Sequence, residues 1–197
     1  MQIDFVVPKG NEEALYKTAL SQNKIPVFVY NSLNFKDLAL VLKRLATFEK
    51  NSYKTAYLFA PDNPAKLVLD KSIRKAVDFI IGTSQDLKTV RALVEKGRVN
   101  YIINIETTGG RDHTHYRRSN FNQVIARFCR ENKVTYLIDF SRIKKVENLK
   151  RALLLGRIMQ NARICRKEKA QFNAVSFASE PLNIINNDCL SALERLL

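Results

Sequence analysis

Apolar runs of four to six residues recur along the chain, each followed by a stretch with helical spacing, and this alternation restricts the fold more than any other feature. The runs are Gln2–Val7 (QIDFVV), Ile25–Tyr30 (IPVFVY), Thr55–Ala60 (TAYLFA), Val77–Ile81 (VDFII), Asn100–Ile105 (NYIINI), Thr135–Phe140 (TYLIDF) and Ala174–Phe177 (AVSF). Runs this short, rich in β-branched and aromatic residues and closed by breakers such as Pro8-Lys9-Gly10 and Pro61, read as strands. Between them, Asn11 is placed to cap a helix running to about Gln22. Asn34, with Asp37 three residues on, caps a second, whose Leu38, Leu42 and Leu45 line one face. Helical stretches follow at Ala65–Lys75, Asp86–Lys96, from Ser119 onward, Val146–Lys167 and Asn186–Leu197.

Strands that are apolar along their whole length are buried on both faces, which is the signature of a parallel sheet covered by helices. Two architectures satisfy this, an open doubly wound sheet and a barrel of the TIM type. The even β-α alternation and the lack of any hairpin signal favour the barrel, although a full one uses eight units. The expectation is a compact, imperfect, TIM-like α/β barrel of seven parallel strands, formed by residues 1–197 as a single domain. No Gly/Ser/Pro tract divides the chain.

The charge is uneven. Of a net +14, the segment Arg111–Lys169 holds +11, from 16 basic and 5 acidic residues. Clustered Lys and Arg attract phosphates and release their counterions, so a polyanionic partner is expected. The opening residues carry Asp4, Glu12 and Glu13 where a secretory signal needs a basic and then an apolar region. No apolar run approaches the length of a membrane span. A cytoplasmic protein without membrane contact is the expectation. Cys129, Cys165 and Cys189 are widely spaced and form no C-x-x-C pair, so they read as small buried hydrophobes.

In α/β barrels, chemistry sits at the C-terminal strand ends. The longest such loop, about Glu106–Arg118, holds Gly109-Gly110, Arg111, Asp112, His113, His115, Arg117 and Arg118, and Ser119 follows as a candidate helix N-cap. A phosphate would be met there by the N–H groups of Asn120–Asn122 and clamped by Arg117 or Arg118. His113-x-His115 also suggests a metal pair, with Asp112 and Asp139 as further ligands. The chain has only 2 histidines, too few for a phosphoesterase cluster, and no catalytic or metal residue is assigned. Downstream, Arg142–Lys169 contains ten basic and two acidic residues. Lys150 and Arg157 share a helix face, while Leu149 and Leu153, or Leu154, Ile158 and Ala162, recur at core spacing. No Gly-rich nucleotide loop or nucleophile elbow is present.

The segment NYIINIETTGGRDHTHYRRSNFNQVIARFCRENKVTYLIDFSRI resembles protein component 3 of archaeal ribonuclease P, a family shared with a protein subunit of the eukaryotic enzyme. The resemblance rests on Arg118-Ser119, on Asn122 and Val124 opening a helix, on Phe140-Ser141-Arg142 at a strand end, and on ARICRKEKAQFNAVSFAS. The chain departs from the family pattern at Asn120, where a glycine is usual, and at Asn183-Ile184-Ile185-Asn186, where an Asp-Leu-Arg-Pro-like turn is common. The resemblance implies a barrel related to metal-dependent phosphoesterases but lacking their metal set. It implies an RNA-binding subunit of ribonuclease P, supporting RNA-catalysed removal of the 5′ leader of precursor tRNA, with the isolated chain not catalytic. Its expected partners are the ribonuclease P RNA, protein component 2 and other holoenzyme proteins, and indirectly precursor tRNA. The protein itself would bind no cofactor, magnesium being used by the RNA. The expected RNA contacts are Arg111, His113, His115, Arg117, Arg118 and Ser119, then Arg142, Lys144, Lys145 and Arg163. The alternative is a stand-alone barrel phosphoesterase acting on a phosphorylated small molecule.

Overall fold

Successive side chains on a strand point to opposite faces, so a strand apolar at every position must meet two apolar layers. The computed structural model, which describes residues 2–31, 52–61, 67, 69, 71–96, 98–106, 112 and 116–197, shows both. The strands are β1 (Gln2–Val6), β2 (Lys24–Tyr30), β3 (Lys54–Phe59), β4 (Phe79–Gly82), β5 (Tyr101–Ile103), β6 (Thr135–Asp139) and β7 (Phe172–Val175). They pair in sequence order, every neighbour parallel, as one seven-stranded sheet. The sheet curls until β1 meets the end of β7 through a single parallel bridge, Val6 to Ala178, with Val7 N donating to Ala178 O at 2.8 Å. The result is a nearly closed seven-stranded α/β barrel of the expected TIM-like class.

One residue set fills its interior: Phe5, Val27, Val29, Ala56, Ile81, Ile103, Leu137 and Val175. The other set packs outward, with Tyr57, Ile80, Ile102, Tyr136, Ile138 and Ala174 against the helices. Those helices are α1 (Glu12–Ser21), α2 (Lys71–Ala76), α3 (Leu87–Glu95), α4 (Gln123–Glu131), α5 (Phe140–Lys145), α6 (Asn148–Glu168) and α7 (Asn187–Leu196). A 3-10 turn, Pro181–Asn183, precedes α7. No helix among the described residues is long and apolar enough to cross a membrane.

The β1–β7 seam is joined largely by side chains. Asp4 accepts from Ser176 N at 2.8 Å and Ser176 Oγ at 2.6 Å, replacing a missing rung of the ladder. Lys24 Nζ donates to the same carboxylate at 2.8 Å and also to Ile185 O. Asp4, Lys24 and Ser176 are all fully buried, so each polar group is satisfied by another rather than by water.

Several boundaries differ from expectation. Asn11 precedes α1 but makes no capping bond. Its side chain accepts from Lys9 N and donates to Ser179 O at 2.9 Å, tying the β1 exit to that of β7. The helix expected over Val146–Lys167 is α6, and a short helix that the sequence did not signal, α5, precedes it, the two separated by the extended Val146 and Glu147. Arg151 holds the break by donating to Val146 O and Lys144 O. Cys129 and Cys165 are buried as expected, and burial pushes the Cys129 thiol up to about 12, whereas Cys189 is exposed. The helix expected from Asn34 through Leu45 lies outside the described residues, as does part of the Ala65–Lys75 stretch.

Candidate nucleic-acid interface

The loop between β5 and α4 sits at the C-terminal end of the barrel and is bolted to α6 by polar side chains. Its anchor is Asp112. Arg157, on α6 and only 8% exposed, places Nε and Nη2 each 2.8 Å from Asp112 Oδ1, while its Nη1 donates to Glu106 O at 3.2 Å. Arg118 N donates to Asp112 Oδ1 at 3.0 Å, and Arg117 Nη1 to Oδ2 at 3.3 Å. Burial works against the charged form of Asp112. The Arg118 N–H, Arg157 and Arg117 outweigh it and hold the carboxyl below its ordinary range.

Two more α6 side chains complete the attachment. The Gln160 amide accepts from Arg117 N at 2.8 Å and donates to Arg117 O at 3.0 Å, as a neighbouring strand would. Ser119 Oγ donates to Asn161 Oδ1 at 2.8 Å. The Arg117 guanidinium lies directly over Gly156. A Cβ there would stand 2.4 Å from Arg117 Nε and Cζ, so this approach requires glycine.

This geometry moves the expected helix cap. Ser119 is committed to Asn161 and Asn120 N donates to Ile105 O, so Ser119 is not the N-cap and the Asn120 N–H is already occupied. The helix begins three residues later, where the Asn122 side chain accepts from Ile125 N at 3.0 Å. Asn122 obeys the same capping preference as Ser119, and the tertiary bond to Asn161 decides between them.

Beneath the loop lies a buried acid that the sequence did not single out. Glu106, 1% exposed, accepts from Tyr136 OH at 3.0 Å, and Asn161 Nδ2 in turn reaches that hydroxyl at 3.4 Å. Burial raises the Glu106 carboxyl to about 7. Its own N–H, the Tyr136 hydroxyl and the Arg142 charge oppose this shift, while nearby Asp139 adds to it. Asp139 is itself raised, first by burial, against hydrogen bonds from Arg142 N at 2.9 Å and Asn104 Nδ2 at 3.3 Å. The barrel mouth therefore holds two carboxyls shifted upward, Glu106 and Asp139, and one, Asp112, shifted downward.

Arg117 and Arg118 are exposed on this face, together with Tyr116. Arg142 is half-buried, and its charge acts on Glu106 and Asp139. Lys144 is exposed and donates to Asn183 Oδ1 at 3.1 Å, and Lys145 and Arg163 are exposed on α5 and α6. Lys150 is exposed, but Arg157, which shares its heptad position, is the buried clamp on Asp112. Leu154, Ile158 and Ala162 are core residues as expected, whereas Leu149 is 73% exposed. Gly109, Gly110, Arg111, His113 and His115 lie outside the described residues. Among the described residues no group of three or more His, Cys, Asp or Glu side chains could hold a metal ion.

The molecule thus belongs, by architecture, to the parallel α/β barrels, with Asp112, Arg117 and Ser119 fastened to α6. No protein family matches the sequence, and none of the curated proteins does. Among solved structures the chain is similar to a chain of the cryo-EM structure of archaeal ribonuclease P with mature tRNA. The TM-score is 0.75 at 19% identity, over 100% of this chain and 82% of that one. At that identity the likeness establishes the shared fold.

Proposed function

We propose that the chain is an RNA-binding protein subunit of ribonuclease P, corresponding to component 3, and supports RNA-catalysed removal of the 5′ leader from precursor tRNA. The observation that carries the reading is the placement of positive charge. The segment holding +11 runs from the connection after β5 through helices α4, α5 and α6, while the remainder of the chain carries +3. The similarity to a chain of an archaeal ribonuclease P complex supports the same reading. The protein neutralises phosphates and holds the RNA in its active shape, working beside component 2, and the magnesium chemistry belongs to the RNA.

Arg117 and Arg118, with neighbouring Arg111, His113 and His115, make the principal contacts. Arg142, Lys144, Lys145 and Arg163 extend them, and Ser119 acts as an anchor of the loop rather than a phosphate ligand. The test is cleavage of precursor tRNA by reconstituted ribonuclease P RNA at low magnesium, with and without this protein and component 2. Stimulation that requires both proteins is the expected result, reduced by Arg117→Ala with Arg118→Ala. Lack of stimulation by the folded pair, with turnover of a phosphomonoester by the isolated chain, would replace this reading with the phosphoesterase.

A further inference from the structure

At the opposite end of the barrel, α4 and α6 finish with similar short sequences. Cys129-Arg130-Glu131-Asn132-Lys133-Val134 and Cys165-Arg166-Lys167-Glu168-Lys169-Ala170 share Cys, Arg and Lys in one spacing, each followed by an apolar residue. Both segments turn alike. Val134 N donates back to Cys129 O at 2.8 Å and Ala170 N to Cys165 O at 2.9 Å, and the intervening lysines take left-handed backbone angles, φ 56° at Lys133 and 58° at Lys169. That conformation disfavours a residue with a Cβ, and helices ordinarily end there on glycine or asparagine. Helix α1 follows the ordinary rule, turning at Asn23 with φ 57°.

The two lysines line one cavity. It has a volume of about 290 Å³ and is formed by Cys129, Arg130, Lys133, Val134, Lys169 and Gln171. Three of the six are cations and none is acidic. Among the described residues neither lysine ammonium has a hydrogen-bond or ion-pair partner. Arg130 is oriented by its Nη1 bond to Glu168 O at 3.2 Å, with Glu131 Oε1 3.7 Å from its Nη2. The Glu168 carboxylate is turned to Arg127, at 2.9 Å.

From two lysines held at backbone cost around one acid-free cavity, we infer that Arg130, Lys133, Lys169 and the Gln171 amide form a second phosphate-binding site. Its ligand is a backbone phosphate of the RNA that engages the loop at the barrel mouth. Helix α6, 21 residues and so about 30 Å long, connects the two sites, with Arg163, Arg166 and Lys167 exposed along it. A single RNA helix laid along α6 would reach both. The inference rests on the RNA-binding reading above.

The test replaces both lysines by the residue the backbone prefers, Lys133→Asn with Lys169→Asn, and follows binding of a labelled RNA duplex by fluorescence anisotropy across salt concentrations. Loss of two phosphate contacts weakens binding on the order of tenfold near physiological salt and makes the log–log salt slope shallower by roughly 1.4 to 1.8. The melting temperature should stay level or rise. Lys133→Arg with Lys169→Arg should keep the affinity. Unchanged affinity and slope in the asparagine variant, while Arg117→Ala with Arg118→Ala still weakens binding, would overturn this site and leave the RNA-binding reading intact. Failure of the unmodified protein to bind RNA would remove both. Pyrophosphate that raises the melting temperature of the unmodified protein but not of the asparagine variant, with RNA affinity equal in the two, would assign the cavity to free phosphate and overturn the RNA placement.

Discussion

Replacing Glu106 by Gln should change how stability depends on pH while barely changing its value in acid. The carboxyl rises from an ordinary 4.5 to about 7 in the folded protein, so the native state holds this proton more tightly than the unfolded chain does. Stability from a raised carboxyl is fully present below the unfolded value and is lost as pH climbs through the folded one. Each pKa unit corresponds to about 1.4 kcal/mol, so the shift represents about 3 kcal/mol, lost between roughly pH 4.5 and 7. Glutamine has the shape of the protonated acid and can still accept from Tyr136 OH, which preserves the network. The assay is urea unfolding of both proteins at pH 5 and pH 8. With a slope of about 2 kcal/mol per molar, the midpoint of the unmodified protein falls relative to the variant by about 1.5 M on going from acid to base. Parallel pH dependence in the two proteins would refute the assignment of a protonated, buried Glu106.

Gly156→Ala places a Cβ where the Arg117 guanidinium lies, and the far end of a flexible side chain is what must move. Stability should hold or gain up to about 1 kcal/mol from the helix preference of alanine, while RNA affinity falls, read by thermal unfolding and anisotropy side by side. Arg157→Ala leaves Asp112 without its closest cation and Glu106 O without a donor, and should cost about 3 kcal/mol in chemical denaturation. Asp4→Asn leaves Lys24 buried without its carboxylate and should cost about 3–5 kcal/mol. Pairing it with Lys24→Met should recover part of that loss, measured by the same denaturation.

The barrel was legible because its strands are predominantly apolar on both faces, which leaves few alternatives to a parallel sheet wrapped in helices. What escaped the sequence was which polar residue is claimed by which distant partner. Arg157 reads as one of many cations on a basic helix, and only Asp112, 45 positions earlier, makes it a buried clamp. Ser119 and Asn122 are equally good caps in isolation. Asn161, which looks like an ordinary helix residue, removes the first from contention. Glu106 follows an apolar run and gave no signal, because its shift arises from burial that only the folded barrel creates. Helix α5 follows β6 without a loop, capped by the Asp139 side chain accepting from Arg142 N, and six residues carry too little periodicity to announce it. Lys24 and Asp4 lie 20 residues apart on different strands, so their pairing requires the register between those strands.

The side-chain seam also bears on when the molecule can be finished. Six strand pairs form between neighbours in sequence and can assemble progressively as the chain is made. The last joint cannot, since Asp4 must wait for Ser176, 172 positions later, and Lys24 for Ile185. Until then β1 presents an unpaired edge and a carboxylate and an ammonium whose burial is incomplete, the condition under which strands recruit foreign partners. A ribosome-bound chain that has not yet exposed Ser176 and Ile185 is therefore an open sheet with a charged lip, and it becomes a barrel only once that segment emerges.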